Sequence, residues 1–262
     1  MRDPAIVLET KNLSRNFGGL RAVRELSLTI ERGKITALIG PNGAGKTTIF
    51  NLLTGFLPPS GGEIWLEGER IDSLRPDRIA RRKIARTFQI VRLFGGLSVL
   101  DNVMLGCPSP RGESLYGALL RTAGASAEAA RNRAKARELL QRVDLAQYEG
   151  RPAGELGFGE QKMVEIARAL ATDADLLLLD EPMAGLSHDM VRKMSGVVRD
   201  LAGLGKTILF VEHNMHVVMD LSERIYVLNY GQEIARGTPA EVRANKLVIE
   251  AYLGASAEAP AC

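Results

Sequence analysis

Residues 40–48 read Gly40-Pro41-Asn42-Gly43-Ala44-Gly45-Lys46-Thr47-Thr48. The stretch fits G-x-x-x-x-G-K-[ST], the pattern of a P-loop, whose backbone surrounds a polyphosphate. Its glycines let N–H groups turn inward, Lys46 brings a positive charge to the β- and γ-phosphates, and the Thr47 hydroxyl can ligate Mg²⁺. The flanks agree, because 35–39 is apolar like a buried strand and 48–53 resembles a helix whose N-terminus faces the anion. The sequence therefore predicts a site for a nucleoside triphosphate.

Further along the chain, polar side chains follow two other strand-like runs. Asp180 and Glu181 come directly after four leucines at 176–179, and His213 follows the apolar run 207–211. Buried strands that alternate with helices predict a parallel sheet, in which ligand sites collect at the carboxyl ends of strands. Asp180 is then the expected second anchor for Mg²⁺, and Glu181 is placed to deprotonate an attacking water. His213 can hydrogen-bond the γ-phosphate, although a structural role explains a lone histidine equally well.

The N-terminal segment has the pattern of a small antiparallel unit. Residues 6–10 and 26–30 are strand-like and are joined through Phe17-Gly18-Gly19. Phe17 precedes the P-loop by 23 residues and can stack on an adenine face. Taken alone, Phe17 is better explained as a core aromatic, so its assignment to a nucleotide depends on the surrounding motifs.

Several other segments carry helix or loop signals. Residues 75–86 are strongly basic and predict a helix with a solvated face, whereas 107–126 is rich in Gly, Pro and Ser and predicts a loop-like insertion. A charged helix is expected at 127–143. Residues 160–171 place apolar side chains at helical spacing, which predicts an amphipathic helix that begins at about Gly159 or Glu160.

The C-terminal region carries the capping box Thr238-Pro239-Ala240-Glu241, which predicts the start of a last helix that ends near Gly254. Residues 255–262 are small and polar and predict a flexible tail.

The whole chain has the composition of an ordinary globular protein, with 262 residues, 45% hydrophobic and 25% charged. Its net charge of +3 gives little support for a nucleic-acid partner. Cys107 and Cys262 are far apart, which is typical of a reducing cytoplasm. The start lacks the apolar segment of a signal peptide, and no run of about 18 apolar residues occurs. We therefore expect that any work at a membrane depends on another chain.

These motifs together resemble the ATP-binding subunits of ABC transporters, over about residues 6–254. In the family's order, the matching positions are Phe17 for the A-loop, 40–48 for Walker A, Gln89 for the Q-loop, 156–161 for the signature, 176–181 for Walker B, 184–187 for the D-loop and His213 for the switch histidine.

The resemblance implies an α/β fold: a P-loop NTPase (RecA-like) core with an N-terminal antiparallel β subdomain and a helical, signature-containing subdomain. It implies one ABC ATPase domain at 1–254, with the catalytic core at about 1–93 and 165–254 and the helical subdomain at about 94–164.

The resemblance also implies ATP and Mg²⁺ as cofactors and a role for each motif residue. The nucleotide is expected to contact Phe17 and the loop residues Gly40, Pro41, Asn42, Gly43, Ala44, Gly45, Lys46, Thr47 and Thr48. Mg²⁺ is expected at Thr47, Gln89 and Asp180, and catalysis is expected to use Lys46, Gln89, Glu181 and His213. Gly157, Phe158, Gly159 and Glu160 of one chain are expected to cap the ATP held by another.

The chain departs from the family pattern at three motifs. The signature usually reads Leu-Ser-Gly-Gly-Gln, whereas residues 156–160 read Leu-Gly-Phe-Gly-Glu, so the serine hydroxyl is missing at Gly157. The D-loop, 184–187, lacks the usual first serine and the aspartate. Phe17 stands where tyrosine is commoner. The first two departures bear on activation by the partner chain and not on ATP binding.

Within the family, the chain is most similar to the ATPases of branched-chain amino-acid importers. The similarity lies in 86–94, the insertion at 107–135, the segment 181–186 and the ending 251–254. Members of that subgroup serve amino acids, amides and urea. Two alternatives stay open: an export ATPase of the lipopolysaccharide type, and a soluble ABC ATPase that acts on nucleic acid or ribosomes.

The implied partners are two membrane permease subunits, a second ATP-binding subunit (a paralogue or the same chain) and, indirectly, a periplasmic or extracellular solute-binding protein. The implied location is the cytoplasmic face of the inner membrane, as a peripheral subunit. Residues 89–105 are expected to dock a permease loop, with apolar surface offered by Phe94, Leu97, Val99 and Leu100.

Overall fold

The computed structural model describes residues 5–108 and 123–257. The described chain forms two compact units. The first contains the residues up to Arg86, residues 175–184 and the residues from 198 onward, and the second contains 87–174 and 185–197.

In chain order, the strands are β1 (Ile6–Phe17), β2 (Leu20–Leu26), β3 (Thr29–Glu31), β4 (Ile35–Ile39), β5 (Gly61–Leu66), β6 (Glu69–Arg70), β7 (Ile84–Arg86), β8 (Leu176–Asp180), β9 (Thr207–Val211), β10 (Arg224–Asn229) and β11 (Gln232–Gly237). The helices are α1 (Lys46–Leu53), α2 (Pro76–Ala80), α3 (Val99–Met104), α4 (Ala123–Arg142), α5 (Phe158–Ala171), α6 (His188–Gly203), α7 (Met215–Leu221), α8 (Pro239–Arg243) and α9 (Lys246–Ala257).

The main sheet of the first unit has the strand order β11-β10-β4-β9-β8-β7. The neighbours from β10 to β7 pair in parallel, and β11 pairs antiparallel with β10. Every residue of β4, β8 and β9 is buried. These strands are continuous apolar runs because a parallel sheet in an α/β protein is covered on both faces.

A second sheet of the same unit is antiparallel and has the order β2-β1-β5-β6, with β3 paired to β1. Its first hairpin turns at Phe17–Leu20, where Gly18 adopts φ 56°, a left-handed conformation that suits glycine. The fully buried Tyr226 of β10 hydrogen-bonds both the N–H and the carbonyl of Thr29 across 3.0 Å. The two sheets therefore share one core, and the hydrogen bonds between Tyr226 and Thr29 link them.

The second unit is helical, with α3, α4 and α5 packed on one another. Asn102 of α3 is fully buried, and its side chain accepts from the N–H of Phe94 and donates to the carbonyls of Phe94 and Ser98. These bonds hold segment 94–98 in a fixed shape. Phe94 and Leu97 are exposed there, as expected. The expectation of exposure is wrong for Val99 and Leu100, which α3 buries against the unit.

The basic segment 75–86 differs from its prediction. Helix α2 ends at Ala80, Lys83 adopts the left-handed φ of 63°, and Ile84–Arg86 becomes strand β7. Pairing with β8 overrides the local preference for helix, because it buries Ile84 and satisfies backbone groups at the edge of the sheet.

The other predicted boundaries shift by smaller amounts. Of the insertion predicted at 107–126, residues 109–122 lie outside the described residues, and the following helix α4 begins at Ala123. The predicted last helix is two helices, α8 and α9, and residues 255–257 of the predicted tail belong to α9, while 258–262 lie outside the described residues. Among the helices that the structure describes, none combines the length and apolar character needed to cross a bilayer.

Candidate active site

The carboxyl ends of β4, β9 and β8 meet at one edge of the main sheet. Leu38 and Asp180 are both in register with Val211 of β9, the strand between them. The P-loop therefore starts beside the ends of two other strands, one followed by Glu181 and the other by His213. The first unit brings together the residues that the sequence assigned to phosphate, metal and water, apart from Gln89, which belongs to the second unit.

The P-loop has a backbone that only glycine accommodates at its two ends. Gly40 has φ 153°, and a Cβ there would lie 2.2 Å from the carbonyl oxygen of Leu228. Gly45 has φ 99°, and a Cβ there would lie 2.5 Å from the carbonyl oxygen of Ala22. The motif glycines are thus required by close backbone approach, which supports the P-loop interpretation on steric grounds.

Lys46 is enclosed at the first turn of α1, with 7% of its surface exposed. Its Nζ donates to the carbonyl oxygens of Gly40, at 2.6 Å, and Pro41, at 2.9 Å. Burial lowers the pKa of the Lys46 ammonium, and the nearby carboxylates of Glu181 and Asp180 oppose that change. The ammonium therefore lies between the loop and the acidic strand end, where a phosphate group would be bound.

Helix α1 begins at Lys46 directly after Gly45, and its first turn carries no acidic side chain. The free N–H groups and the positive dipole end of this turn suit an anion. Thr47 is exposed in the same turn, so its hydroxyl can reach a ligand.

Asp180 ends β8 with only 3% of its side chain exposed. Its Oδ2 accepts from Nη2 of Arg86 across 2.8 Å. Sequence analysis did not identify Arg86 as a site residue, because the segment before it reads as a basic helix. The register between β7 and β8, which only pairing reveals, places Arg86 beside Leu178, and from there its side chain reaches Asp180 at the end of β8.

Glu181 follows Asp180 in a left-handed backbone conformation, with φ 50°. Its N–H donates to the carbonyl of Val211, and its Oε1 lies 3.0 Å from Nε2 of His213. The structure thus pairs the predicted base with the predicted switch histidine. An acid and a histidine at this distance can share or exchange a proton.

Glu212 is a further residue of this edge that sequence analysis missed. Glu212 is 2% exposed, and its carboxylate accepts from the N–H groups of Met183, at 2.7 Å, and His213, at 3.0 Å. Glu212 therefore fixes the loops after both β8 and β9. The available signal was its position, since it directly follows β9 as Glu181 follows β8.

Phe17 lies at the hairpin of the antiparallel sheet with 42% of its surface exposed, so it is not a core aromatic. The guanidinium carbon of Arg15 lies 4.7 Å from its ring centroid, and Arg15 also donates to the carbonyl of Pro58. The ring is held in place by a cation–π contact. An exposed, fixed aromatic ring is suited to stacking on a base.

Gln89 and the signature residues belong to the second unit. Gln89 is exposed three residues beyond β7. Helix α5 starts at Phe158, slightly earlier than predicted, and Gly157 is its N-cap with φ −62° and ψ 156°. Phe158 is 48% exposed, and Lys162 places its Nζ 5.1 Å from the ring centroid. The first turn of α5 thus offers N–H groups and an exposed ring.

The side chains of the first unit fit a magnesium ion that arrives with phosphate. The Thr47 hydroxyl and the Asp180 carboxylate are hard oxygen donors, which Mg²⁺ prefers. Within residues 5–108 and 123–257, no group of three or more His, Cys, Asp and Glu side chains could hold a metal ion unaided. Two protein oxygens with phosphate and water completing the shell match the usual binding of Mg²⁺.

Comparison with known proteins places the chain among transport ATPases. The family model described as "ABC transporter" matches residues 23–184, and the model described as "Branched-chain amino acid ATP-binding cassette transporter" matches 232–258. The high-affinity branched-chain amino acid transport ATP-binding protein LivG of Salmonella typhimurium is 41% identical over 95% of this chain and 98% of its own. The corresponding BraF of Pseudomonas aeruginosa is 39% identical over 95% of this chain and 98% of its own.

Solved structures agree with the sequence comparison. A nucleotide-free ATP-binding cassette from an ABC transporter superposes with a TM-score of 0.82, at 33% identity, over 94% of this chain and 98% of its own. An ADP conformation of an ATP-binding cassette has a TM-score of 0.82, at 32% identity, over 95% and 99%. A dimeric bacterial ABC transporter cassette has a TM-score of 0.73, at 26% identity, over 88% and 98%.

These likenesses confirm both the predicted P-loop NTPase fold and the resemblance noted in the motifs. The chain belongs to the ABC transporter family, as one of its ATP-binding cassettes.

Proposed function

We propose that the chain is the ATP-hydrolysing subunit of an ABC importer for branched-chain amino acids or related small polar solutes. The observation that carries this proposal is the similarity to LivG along nearly the full length of both chains, at 41% identity. The match of residues 232–258 to the branched-chain model supports the same subgroup.

Within this proposal, the P-loop and the N-terminus of α1 bind the phosphates, Lys46 neutralises their charge, and Phe17 stacks on the base. Thr47 and Asp180 would hold Mg²⁺, with Gln89 as a further expected ligand. When bound, Mg²⁺ offsets the charge that develops on the transferred phosphoryl group.

Glu181 is the group that takes a proton from the attacking water in this proposal. Nε2 of His213 lies 3.0 Å from Oε1 of Glu181, and in this proposal His213 orients the Glu181 carboxylate and the γ-phosphate. The buried carboxylate of Glu212 keeps both loops in place through backbone N–H groups. The residues of the first unit therefore bind nucleotide and prepare water, and they leave the signature to be supplied by a second chain.

We further infer an assembly in which residues 157–160 cap the ATP of a second ATP-binding subunit, either a paralogue or another copy. Residues 94–164 form the signature-bearing helical subdomain of this assembly. Two membrane permeases bind the pair at the cytoplasmic face of the inner membrane, and a solute-binding protein delivers cargo to the permeases. The exposed side chains of Phe94 and Leu97 support a docking surface in the second unit.

The test is transport. The chain is produced together with the permeases, the paralogous ATPase and the solute-binding protein of its genomic neighbourhood, and the complex is reconstituted in proteoliposomes. We expect ATP-dependent uptake of labelled leucine, isoleucine or valine, and none with Lys46→Ala. ATP hydrolysis without uptake of amino acids, amides or urea would contradict the cargo assignment, and extraction of lipopolysaccharide would favour the exporter alternative.

A further inference from the structure

Arg86 is the last residue of β7, and its side chain is only 6% exposed. Because β7 and β8 pair in parallel with Arg86 beside Leu178, its side chain can reach the end of β8. Nη2 of Arg86 donates to Oδ2 of Asp180 across 2.8 Å, and the Asp180 side chain is 3% exposed. The two opposite charges form a buried ion pair at the edge of the main sheet where the carboxyl ends of β4, β9 and β8 meet.

The other arm of the same guanidinium reaches helix α1. Nη1 of Arg86 donates to Oδ1 of Asn51 across 2.6 Å, and the guanidinium carbon lies 5.5 Å from the ring centroid of Phe50. Asn51 stands four residues after Thr47, so both lie on one face of α1. One planar group therefore connects the end of β8 with the helix face that carries Thr47.

The chemistry of the Arg86 guanidinium suits it to orienting the side chains of Asp180 and Asn51. A buried ion pair is not needed for stability, because well-packed apolar side chains of similar volume are often as stable. The rigid fork of an arginine fixes the direction of the carboxylate and the amide that it binds, whereas lysine offers a compact charge on a flexible stem. A group that must present oxygen to a metal depends on such support from its neighbours.

We infer that Arg86 is a positioning residue that fixes the Asp180 carboxylate relative to helix α1 and thereby sets how well Asp180 serves Mg²⁺. This inference rests on the proposed role of Asp180 as a metal anchor. Arg86 acts through Asp180 and Asn51 and is not itself assigned a contact with nucleotide or metal.

The test is the affinity for a non-hydrolysable ATP analogue, measured by titration calorimetry with Mg²⁺ and with EDTA. The ratio of the two affinities isolates the contribution of the metal. Arg86→Lys keeps the positive charge and removes the planar guanidinium. Asn51→Ala removes the hydrogen bond between Arg86 and Asn51 while leaving the ion pair with Asp180. Arg224→Lys is the matched control, because Arg224 pairs with Glu31 across 3.3 Å at the amino end of β10.

Arg86→Lys is expected to reduce the Mg²⁺-dependent gain in affinity about tenfold, as is common for groups that orient metal ligands. Affinity in EDTA should stay at the wild-type value. Asn51→Ala should change the ratio in the same direction by a smaller factor, and Arg224→Lys should leave it unchanged. The melting temperature of each variant reports whether it folds. If Arg86→Lys does not fold, the inference is tested with Asn51→Ala alone.

Two results would overturn the inference. An equal loss of affinity with and without Mg²⁺ would assign Arg86 to the fold alone. A larger Mg²⁺-dependent gain would show that Arg86 only competes with the metal for Asp180. Asp180→Asn separates this inference from the proposed function: if that variant keeps the wild-type ratio, the metal role of Asp180 itself is wrong, whatever Arg86→Lys does.

Discussion

At the scale of single residues, the contact between Glu181 and His213 carries the clearest chemical consequence. Oε1 and Nε2 lie 3.0 Å apart, and the backbone of Glu181 is held by its N–H bond to Val211. A carboxylate with a fixed direction beside a P-loop is suited to accept a proton from water. We expect Glu181→Gln to bind Mg·ATP but to hydrolyse it at least about 10²-fold more slowly.

The measurement is steady-state phosphate release together with equilibrium nucleotide binding. Asp189→Asn serves as a control, because Asp189 is an exposed carboxylate on α6 that pairs with Arg192 at the surface. It should hydrolyse ATP at the wild-type rate. Near-normal turnover in Glu181→Gln would remove Glu181 from the role of base.

At the scale of elements, helix α9 is tied to the P-loop. Burial raises the pKa of the Tyr252 phenol to about 12, and a hydrogen bond with the backbone of Gly40 opposes that change. Gly40 is also in close backbone contact with Leu228, so the start of the loop is fixed from two sides. We expect Tyr252→Phe to weaken ATP binding about two- to tenfold, because one hydrogen bond contributes about 0.5–1.5 kcal/mol.

Fluorescence titration with a labelled ATP analogue checks this expectation. Tyr148→Phe is a suitable control, since Tyr148 lies in the second unit beside Arg151. An unchanged affinity in Tyr252→Phe would mean that α9 does not influence the loop.

The elements also show what the sequence could predict. Strands β4, β8 and β9 are long enough and apolar enough to be recognised, and the loop between β4 and α1 follows from its glycines and lysine. A strand end was expected at 86–89, whereas β7 is Ile84–Arg86. Its position was predicted wrongly because three residues give too little pattern, and the basic residues before it favour a helix. Arg86 was missed because its role depends on the pairing of β7 with β8, which no local pattern contains. Glu212 was missed although its position directly after β9 was a local signal.

At the scale of the whole molecule in its complex, Phe94 offers a test of assembly. It is 59% exposed on a segment that the Asn102 side chain holds rigid. An exposed aromatic ring on an ordered segment is suited to an interface. We expect Phe94→Asp to keep ATP binding while weakening co-purification with the permeases. Leu204→Asp is the control and should co-purify normally, because Leu204 is similarly exposed, at 60%, but lies in the other unit. Full co-purification of Phe94→Asp with the permeases would refute the docking assignment.

The missing serine of the signature concerns the pairing of two chains. Gly157 has φ −62° and ψ 156°, an extended conformation that any residue adopts, so an unusual backbone does not explain the glycine. A Cβ there would lie 2.5 Å from Oε2 of Glu160, the flexible end of a side chain that can move aside. A serine hydroxyl could add a hydrogen bond to the γ-phosphate held by the partner chain, and such bonds to charged groups contribute about 1.5–3 kcal/mol.

We therefore expect Gly157→Ser, in the Glu181→Gln background, to tighten ATP-driven dimerisation by up to about tenfold in sedimentation velocity with Mg·ATP. Gly157→Ala is the matched control, since it adds the Cβ without the hydroxyl and should leave dimerisation unchanged. Serine at this N-cap, three residues before Glu160, would also complete a capping box and stabilise α5 by about 1 kcal/mol. If Gly157→Ser raises the melting temperature of the nucleotide-free monomer but does not tighten the dimer, the hydroxyl serves the helix and not the partner's phosphate.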